Sequence, residues 1–408
     1  MSESTTAEAA ASDSGDETGT KGSVFDHRVL VLALGTFTVI TGNYVFIGVL
    51  GGLASDLDVS VGLAGQLVTV FAVTNAVGAP VLVSLTGRFE RRRLLLGAML
   101  VYAAASAAAF VLPTFGLLAA SRVLAATAAA VFTPVAAAVA TTFVPPEKAG
   151  AALAIVNSGL TFAFVAGIPL GTVVGGGFGW RATFLFAAVL VVVVALVTVV
   201  ALPRIGRLET TELRSLAVVR RPGIALDVWL TALGFTAIFV AQAYIGPVLS
   251  GMTGFDETGI GALQVVLGVA GLAGVVAGGV GADRFDSGRV LGAIFVALAL
   301  GLVPFSLFAG AGGGTVAVAG AVAAMVFGGA GLFALVPVQQ SRLVRRAPER
   351  RNVVLALNAA ALFLGQAVGA AIGGVVTTVG TLADLGYAGA AVAVVGLVVV
   401  GLTRRADD

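Results

Sequence analysis

The sequence predicts an all-α membrane protein of twelve transmembrane helices, arranged as two pseudo-symmetric six-helix bundles. Three observations carry this expectation. Hydrophobic residues make up 58% and charged residues 11% of the 408 positions, whereas a water-soluble domain carries roughly 25% charged residues. The chain divides into uncharged stretches long enough to cross a bilayer, which takes about 20 apolar residues. Basic residues fall in alternate connections, as they do when short cytoplasmic loops hold the Lys and Arg excess.

The elements follow in order. Residues 1–28 begin polar and acidic, with Glu3, Glu8, Asp13, Asp16 and Glu17 against Lys21, and read as a disordered cytoplasmic tail. A secretory signal would start basic and turn apolar. Twelve spans follow at about 29–54, 62–86, 94–112, 116–143, 149–175, 182–203, 224–250, 259–282, 290–309, 314–339, 353–379 and 384–403. Two long apolar runs are each split by a turn, at Pro113–Gly116 and in the Gly-rich segment 309–314. Arg88, Arg91, Arg92 and Arg93 follow span 2, and Lys148 follows span 4. Span 6 is followed by Arg204, Arg207, Arg214, Arg220 and Arg221, and span 8 by Arg284 and Arg289. Arg342, Arg345, Arg346, Arg350 and Arg351 follow span 10, and Arg404 and Arg405 close the chain. The other connections hold no Lys, and Arg181 alone among arginines, at the start of span 6. This alternation predicts an even number of spans with both termini in the cytoplasm, at the cytoplasmic membrane.

The segment 204–223 is the most polar break in the membrane portion and parts an N-terminal bundle, 29–203, from a C-terminal bundle, 224–403; residues 404–408 form a second tail. The halves echo each other. Gly-Arg-Phe-Glu-Arg-Arg-Arg at 87–93 follows span 2, and Asp-Arg-Phe-Asp-Ser-Gly-Arg at 283–289 follows span 8. Span 5 carries Gly167 and Gly171 where span 11 carries Gly369 and Gly373. Parallel halves related by an axis along the membrane normal are a transporter arrangement, with the substrate held between them near the midplane.

Composition removes several classes of chemistry. There are no cysteines and one histidine, His27, flanking the first span, so disulfides, thiolate metal sites and a His-driven triad are excluded. No phosphate-binding GxxxxGK[ST] pattern occurs, which argues against ATP-driven pumping. No nucleophile–base pair falls within the spans, so the chain is not expected to be an enzyme. No cofactor and no nucleic-acid partner are expected either.

What remains is polar residues set in apolar helices. Asn43, Tyr44, Asn75, Asn157, Thr161, Gln242, Tyr244, Gln264, Asn358 and Gln366 outline a cavity suited to an uncharged, polar or amphipathic solute. Half of them are expected to line it, and the rest to bond across helices for about 0.6 kcal/mol each. Arg122, two turns inside span 4, is costly there and either snorkels to the headgroups or faces a cavity. Asp227, one turn into span 7, is a helix-start residue, favoured there by the helix dipole, or a proton-coupling group. Asp56 and Asp58 lie in a loop as further carboxylate candidates. No carboxylate sits at mid-membrane. In span 5 the glycines permit close approach, and Pro169 removes a backbone donor and allows a bend.

Gly279-Val-Gly281-Ala282-Asp283-Arg284 is similar to the second-to-third-helix loop motif of the major facilitator superfamily, Gly-x-Leu-Ala-Asp-Arg-x-Gly-Arg-Lys. The first-half copy has Gly87 in place of the Asp but keeps Arg88, Arg91 and Arg92. Gly167, Pro169, Gly171 and the string through Trp180-Arg181-Ala182-Thr183-Phe184 resemble the antiporter-type helix 5 motif of drug and sugar exporters, most of all the arabinose-efflux-permease-like branch of drug:proton antiporters. The resemblance spans about Val29 to Arg405. It implies the major facilitator fold and a gating latch at the cytoplasmic loops, carried chiefly by Asp283 and Arg284 with Arg289. It implies proton coupling near Arg122, although Ala125 and Ala126 replace the polar residue and Gly that follow in the family and Asn43 replaces an acid common in related exporters.

The expected function is therefore a monomeric secondary-active exporter of a drug-like, sugar-like or metabolite solute by alternating access, with exchange for protons left open. An uncoupled facilitator or importer on the same fold is the first alternative, and a non-transporting scaffold or sensor the second.

Overall fold

In the computed structural model, which describes residues 25–206, 218 and 220–407, the chain is almost wholly helical. Twelve helices are long and apolar enough to cross a membrane. They are α1 (His27–Asp56), α2 (Val61–Leu85), α3 (Arg91–Ala109), α4 (Phe115–Phe143), α5 (Pro146–Phe178) and α6 (Trp180–Ala201). The second set is α7 (Pro222–Gln242), α8 (Glu257–Arg284), α9 (Ser287–Leu307), α10 (Thr315–Arg346), α11 (Val353–Val379) and α12 (Asp384–Asp407). The expected tail 1–28 and linker 204–223 lie largely outside the described residues. Helix α12 continues to Asp407, through the positions read as a second tail.

Short polar side chains start the helices. Ser60 accepts a hydrogen bond from the Leu63 amide (3.1 Å), Asp256 from Gly259 (2.9 Å) and Asp286 from Arg289 (2.9 Å). Each satisfies one of the four amides that a helix start leaves unpaired. Three helices are interrupted. Helix α1 tightens into a 3-10 turn at Ile47–Val49. Helix α7 stops at Gln242 and resumes as a short helix, Ile245–Thr253. Helix α5 holds a π turn at Ala163–Gly167. Pro169 lacks the amide that the carbonyl four residues earlier would accept, and the turn passes the Ile168 amide to the Ala163 carbonyl instead.

The packing repeats between halves. In the first, α1 packs on α5 and α6, α2 on α4, and α3 on α4 and α6; in the second, α7 packs on α11 and α12, α8 on α10, and α9 on α10 and α12. Glycine makes these approaches possible: a Cβ at Gly274 would lie 2.3 Å from the Ala330 carbonyl oxygen, and one at Gly301 2.5 Å from the Gly328 nitrogen. Without a hydrophobic effect between helices in lipid, such close backbone packing is what holds them together. Many large apolar side chains face outward, Val200 at 89% exposed and Phe178 at 83% among them, as lipid-facing surface requires.

The two halves meet through α2 with α11 and α5 with α8, and through the short segments of α1 and α7 near the end opposite the arginine-rich loops. Among the described residues no comparable packing joins α4 to α10. The side-chain hydrogen bonds between the halves gather at the end opposite the arginine-rich loops, while at the arginine-rich end Arg351 of α11 lies beside Gly150 of α5.

Candidate functional site

The seal is built from the polar residues of both halves. The Tyr44 hydroxyl of α1 donates to Gln366 Oε1 of α11 at 2.5 Å. Thr172 of α5 donates to Gln264 Oε1 of α8 at 2.8 Å. Tyr244, at the break in α7, donates to the Ala370 carbonyl at 2.8 Å and receives Gln66 Nε2 of α2 at 3.1 Å. Its ring sits against α2 where Gly65 has no side chain: a Cβ there would fall 2.1 Å from the ring. Thus four of the expected cavity residues, Tyr44, Tyr244, Gln264 and Gln366, join the halves to each other.

Around Tyr44 this junction is aromatic. Its ring centroid lies 5.5 Å from Phe164 of α5 and 5.8 Å from Phe239 of α7, and Phe164 meets Phe333 of α10 edge-on at 5.3 Å. Four helices from both halves, α1, α5, α7 and α11, therefore meet at one tyrosine and one glutamine, and α10 joins them through Phe164. Tilted and edge-to-face rings at such distances are favourable contacts. Sequence reasoning missed Gln66, Thr172, Phe164, Phe239 and Phe333. Gln66 offered the same signal as Gln264, a polar residue within an apolar helix; the phenylalanines offered none against 24 in the chain.

The remaining expected lining residues are dispersed. Asn75, Thr161 and Gln242 are buried, and Asn358 is buried and receives Thr231 Oγ1 at 2.7 Å within the second half. Asn157 is exposed on α5. The helix 5 residues serve the contact with α1: a Cβ at Gly167 would meet Thr41 Oγ1 at 1.9 Å and one at Gly171 would meet Val45 Cγ2 at 1.9 Å, while Pro169 is buried beside them.

Arg122 is 1% exposed, so it does not snorkel. Its Nη2 lies 3.2 Å from the Gly42 carbonyl oxygen and 3.4 Å from the Asn43 carbonyl and Oδ1. The guanidinium carbon sits 5.7, 5.1 and 5.5 Å from the ring centroids of Phe46, Phe71 and Phe184. Asp227 is wholly buried and paired twice: its Oδ1 accepts Arg342 Nε at 2.9 Å and its Oδ2 accepts Arg346 Nε at 2.7 Å. Gln339 Nε2 donates to its carbonyl at 2.7 Å, and Arg342 Nη1 reaches Ser287 at 2.8 Å. Asp227 is therefore more than a helix-start residue; it ties α7 to the arginine-rich end of α10.

That cluster borders the loop that carries Asp283 and Arg284, with Arg342 reaching Ser287 beside it. Asp283, Arg284 and Arg289 are exposed, and among the described residues Asp283 and Arg284 make no ion pair; the space beside Gly279 is open. Arg345 Nη1, 3.4 Å from the Ala282 carbonyl, faces the end of α8 instead. In the first half Glu90 accepts the Arg92 and Ile205 amides at 3.2 and 3.1 Å, Arg92 bonds the Val199 carbonyl, Arg91 is buried, and Arg88 lies exposed over the Phe89 ring. Asp56 receives Trp180 and Arg181 at the sealed end, and Asp58 is exposed.

Two matched six-helix bundles, joined around a polar-aromatic junction, define a multi-pass membrane transporter for a small molecule. The profile of the Major Facilitator Superfamily matches residues 32–370, and the chain belongs to that family. The inner membrane transport protein YdhP of Escherichia coli (strain K12) is 33% identical over 92% of this chain and 94% of its own length. A chloramphenicol resistance protein of Streptomyces lividans is 37% identical over 62% of this chain and 66% of its own length. Among solved structures, a bacterial homologue of the lysosomal transporter Spinster, inward-facing and occupied, superposes with a TM-score of 0.73 at 16% identity, covering 94% of this chain and 98% of that one.

Proposed function

We propose that the chain is a monomeric secondary-active exporter of a small uncharged or amphipathic solute, working by alternating access. On this reading the bundles 29–203 and 224–403 rock about their interface, with segment 204–223, the arginine-rich loops and both termini in the cytoplasm, as the placement of basic residues favours. The described state then opens inward. The observation that carries the reading is the junction at Tyr44, where four helices from both halves bring rings and one amide together. A solute that reaches it from the arginine-rich side competes with the contacts that close the other side, which couples binding to the change of state. The drug-like class is supported by the relative named for chloramphenicol resistance. Chloramphenicol, uncharged and aromatic, is accordingly the first solute to try.

Everted vesicles carrying the protein should accumulate chloramphenicol, or another neutral amphipathic solute of a library, under a proton gradient. Tyr44→Ala should abolish this. Failure of every solute to move, or unchanged transport by Tyr44→Ala, overturns the reading. One observation favours an uncoupled facilitator as a second reading: the one fully buried carboxylate among the described residues, Asp227, is held by two arginines rather than free to carry a proton. Flux that survives collapse of the proton gradient would select it.

A further inference from the structure

We propose that Arg122 and Asn43 form a site for a small monovalent anion, either a halide or the carboxylate of a solute, inside the first bundle and one residue along α1 from Tyr44. Arg122 lies about 10 Å along α4 from its first residue and is 1% exposed. A guanidinium at such depth is costly unless paired, yet among the described residues no carboxylate lies within ion-pair distance of it. The ring faces of Phe46, Phe71 and Phe184 soften the desolvation but accept no hydrogen bond in the plane of the fork. The hydrogen bonds of Nη2 are all at 3.2–3.4 Å, and among the described residues the buried Tyr102 hydroxyl is the one other polar side chain that interacts with the guanidinium.

The unmet groups are of one kind. Arg122 Nε and Nη1 and Asn43 Nδ2 are buried and have no hydrogen-bond partner. All are N–H donors, so the acceptors at hand leave three of them unmet, and no negative charge stands among those acceptors. Buried polar groups are almost always satisfied, and a water molecule brings as many donors as acceptors, whereas an anion brings acceptors and charge only. The alternative solution, a carboxylate on α1, is absent because position 43 is Asn. Replacing it with Asp puts a fixed anion where Oδ1 already stands 3.4 Å from the guanidinium.

The test reads binding, so its failure leaves the transport reading untouched. Purified full-length protein in nanodiscs is unfolded thermally while its intrinsic fluorescence is followed. Sodium chloride or sodium acetate is titrated, with ionic strength held by sodium sulfate. A ligand that binds only the folded state raises Tm saturably. Wild type should respond to chloride if the site takes a free halide, or to acetate and not chloride if it is shaped for a carboxylate. Asn43→Asp should be more stable without added anion and should lose the response, its apparent Kd rising at least about tenfold. Arg122→Gln should also lose it; Asn43→Asp, which removes no contact, keeps the question open to measurement if that variant does not fold. No saturable rise with either anion, or an equal rise in Asn43→Asp, overturns the proposal.

Discussion

The hydroxyl of Tyr244 stands 2.8 Å from the carbonyl oxygen of Ala370, which joins the broken helix α7 to α11 just where α2 crosses both. The same oxygen receives Gln66 Nε2, so one phenol ties three helices from two halves. Replacement of Tyr244 by Phe keeps the ring over Gly65 and removes the hydrogen bond, worth about 0.5–1.5 kcal/mol. The expected result is a shift of roughly twofold to tenfold toward the state open at the end now sealed. Because the chain has no cysteine, a single Val248→Cys, buried at the seal, reports this cleanly. Its labelling by a membrane-impermeant maleimide should be faster in the Tyr244→Phe background, and equal rates would contradict the assignment.

The contact of α5 with α1 leaves no room for side chains. Gly171→Ala places a methyl 1.9 Å from Val45 Cγ2 and should cost about 1–3 kcal/mol, the usual penalty of overpacking. Gly177→Ala, with nothing within 4 Å of the new carbon, should leave stability unchanged. Unfolding curves of the two variants in the same detergent check the pair.

Asp227 serves the fold before it serves any proton. Asp227→Asn leaves Arg342 and Arg346 without their buried partner, and breaking such a pair costs about 3–5 kcal/mol. Loss of folded yield is the expected outcome. A well-folded Asp227→Asn protein that has lost only its dependence on the proton gradient would show instead that the carboxylate titrates in the transport cycle.

At the junction, Phe164→Ala removes the ring that faces both Tyr44 and Phe333. Each aromatic contact contributes about 0.5–1.5 kcal/mol beyond its buried area, so affinity for an aromatic solute should fall by roughly twofold to tenfold or more. Gln366→Leu should change selectivity instead, weakening solutes with a hydrogen-bonding group while sparing apolar ones. Titration of a fluorescent solute into both variants separates these effects.

Helix number and loop charge were legible in the sequence because a bilayer imposes a length and a sign on them, and neither depends on partners. The branch points were not. The break at Ala243–Tyr244 falls within the expected span 224–250, where Gly246 and Pro247 were a signal passed over; the 3-10 turn at Ile47–Val49 follows polar Asn43 and Tyr44 without a proline to mark it. Tyr44, Tyr244, Gln264 and Gln366 stood out as polar groups in greasy surroundings, but pairings such as 44 with 366 are fixed by topology. Arg342 and Arg346 looked like topology signals at a helix end; their second use, holding Asp227, needed the neighbouring helix to be seen. The loop motif drew attention to Asp283, while Asp227 stood out as the one acid inside a span, although its two arginine partners on α10 did not.

The π turn at Ala163–Gly167 has a consequence for register. It adds one residue to a helix whose successive side chains are about 100° apart, so the segment from Ile168 onward is phased differently from the segment before Phe162. Thr172 meets Gln264, and Gly171 meets Val45, only because of that extra residue. A deletion of one residue within the turn would swing both away while leaving every apolar character in place. A wide turn is also a reserve of slack: it can be passed along the helix one peptide at a time, letting one end of the rod pivot while the other stays put.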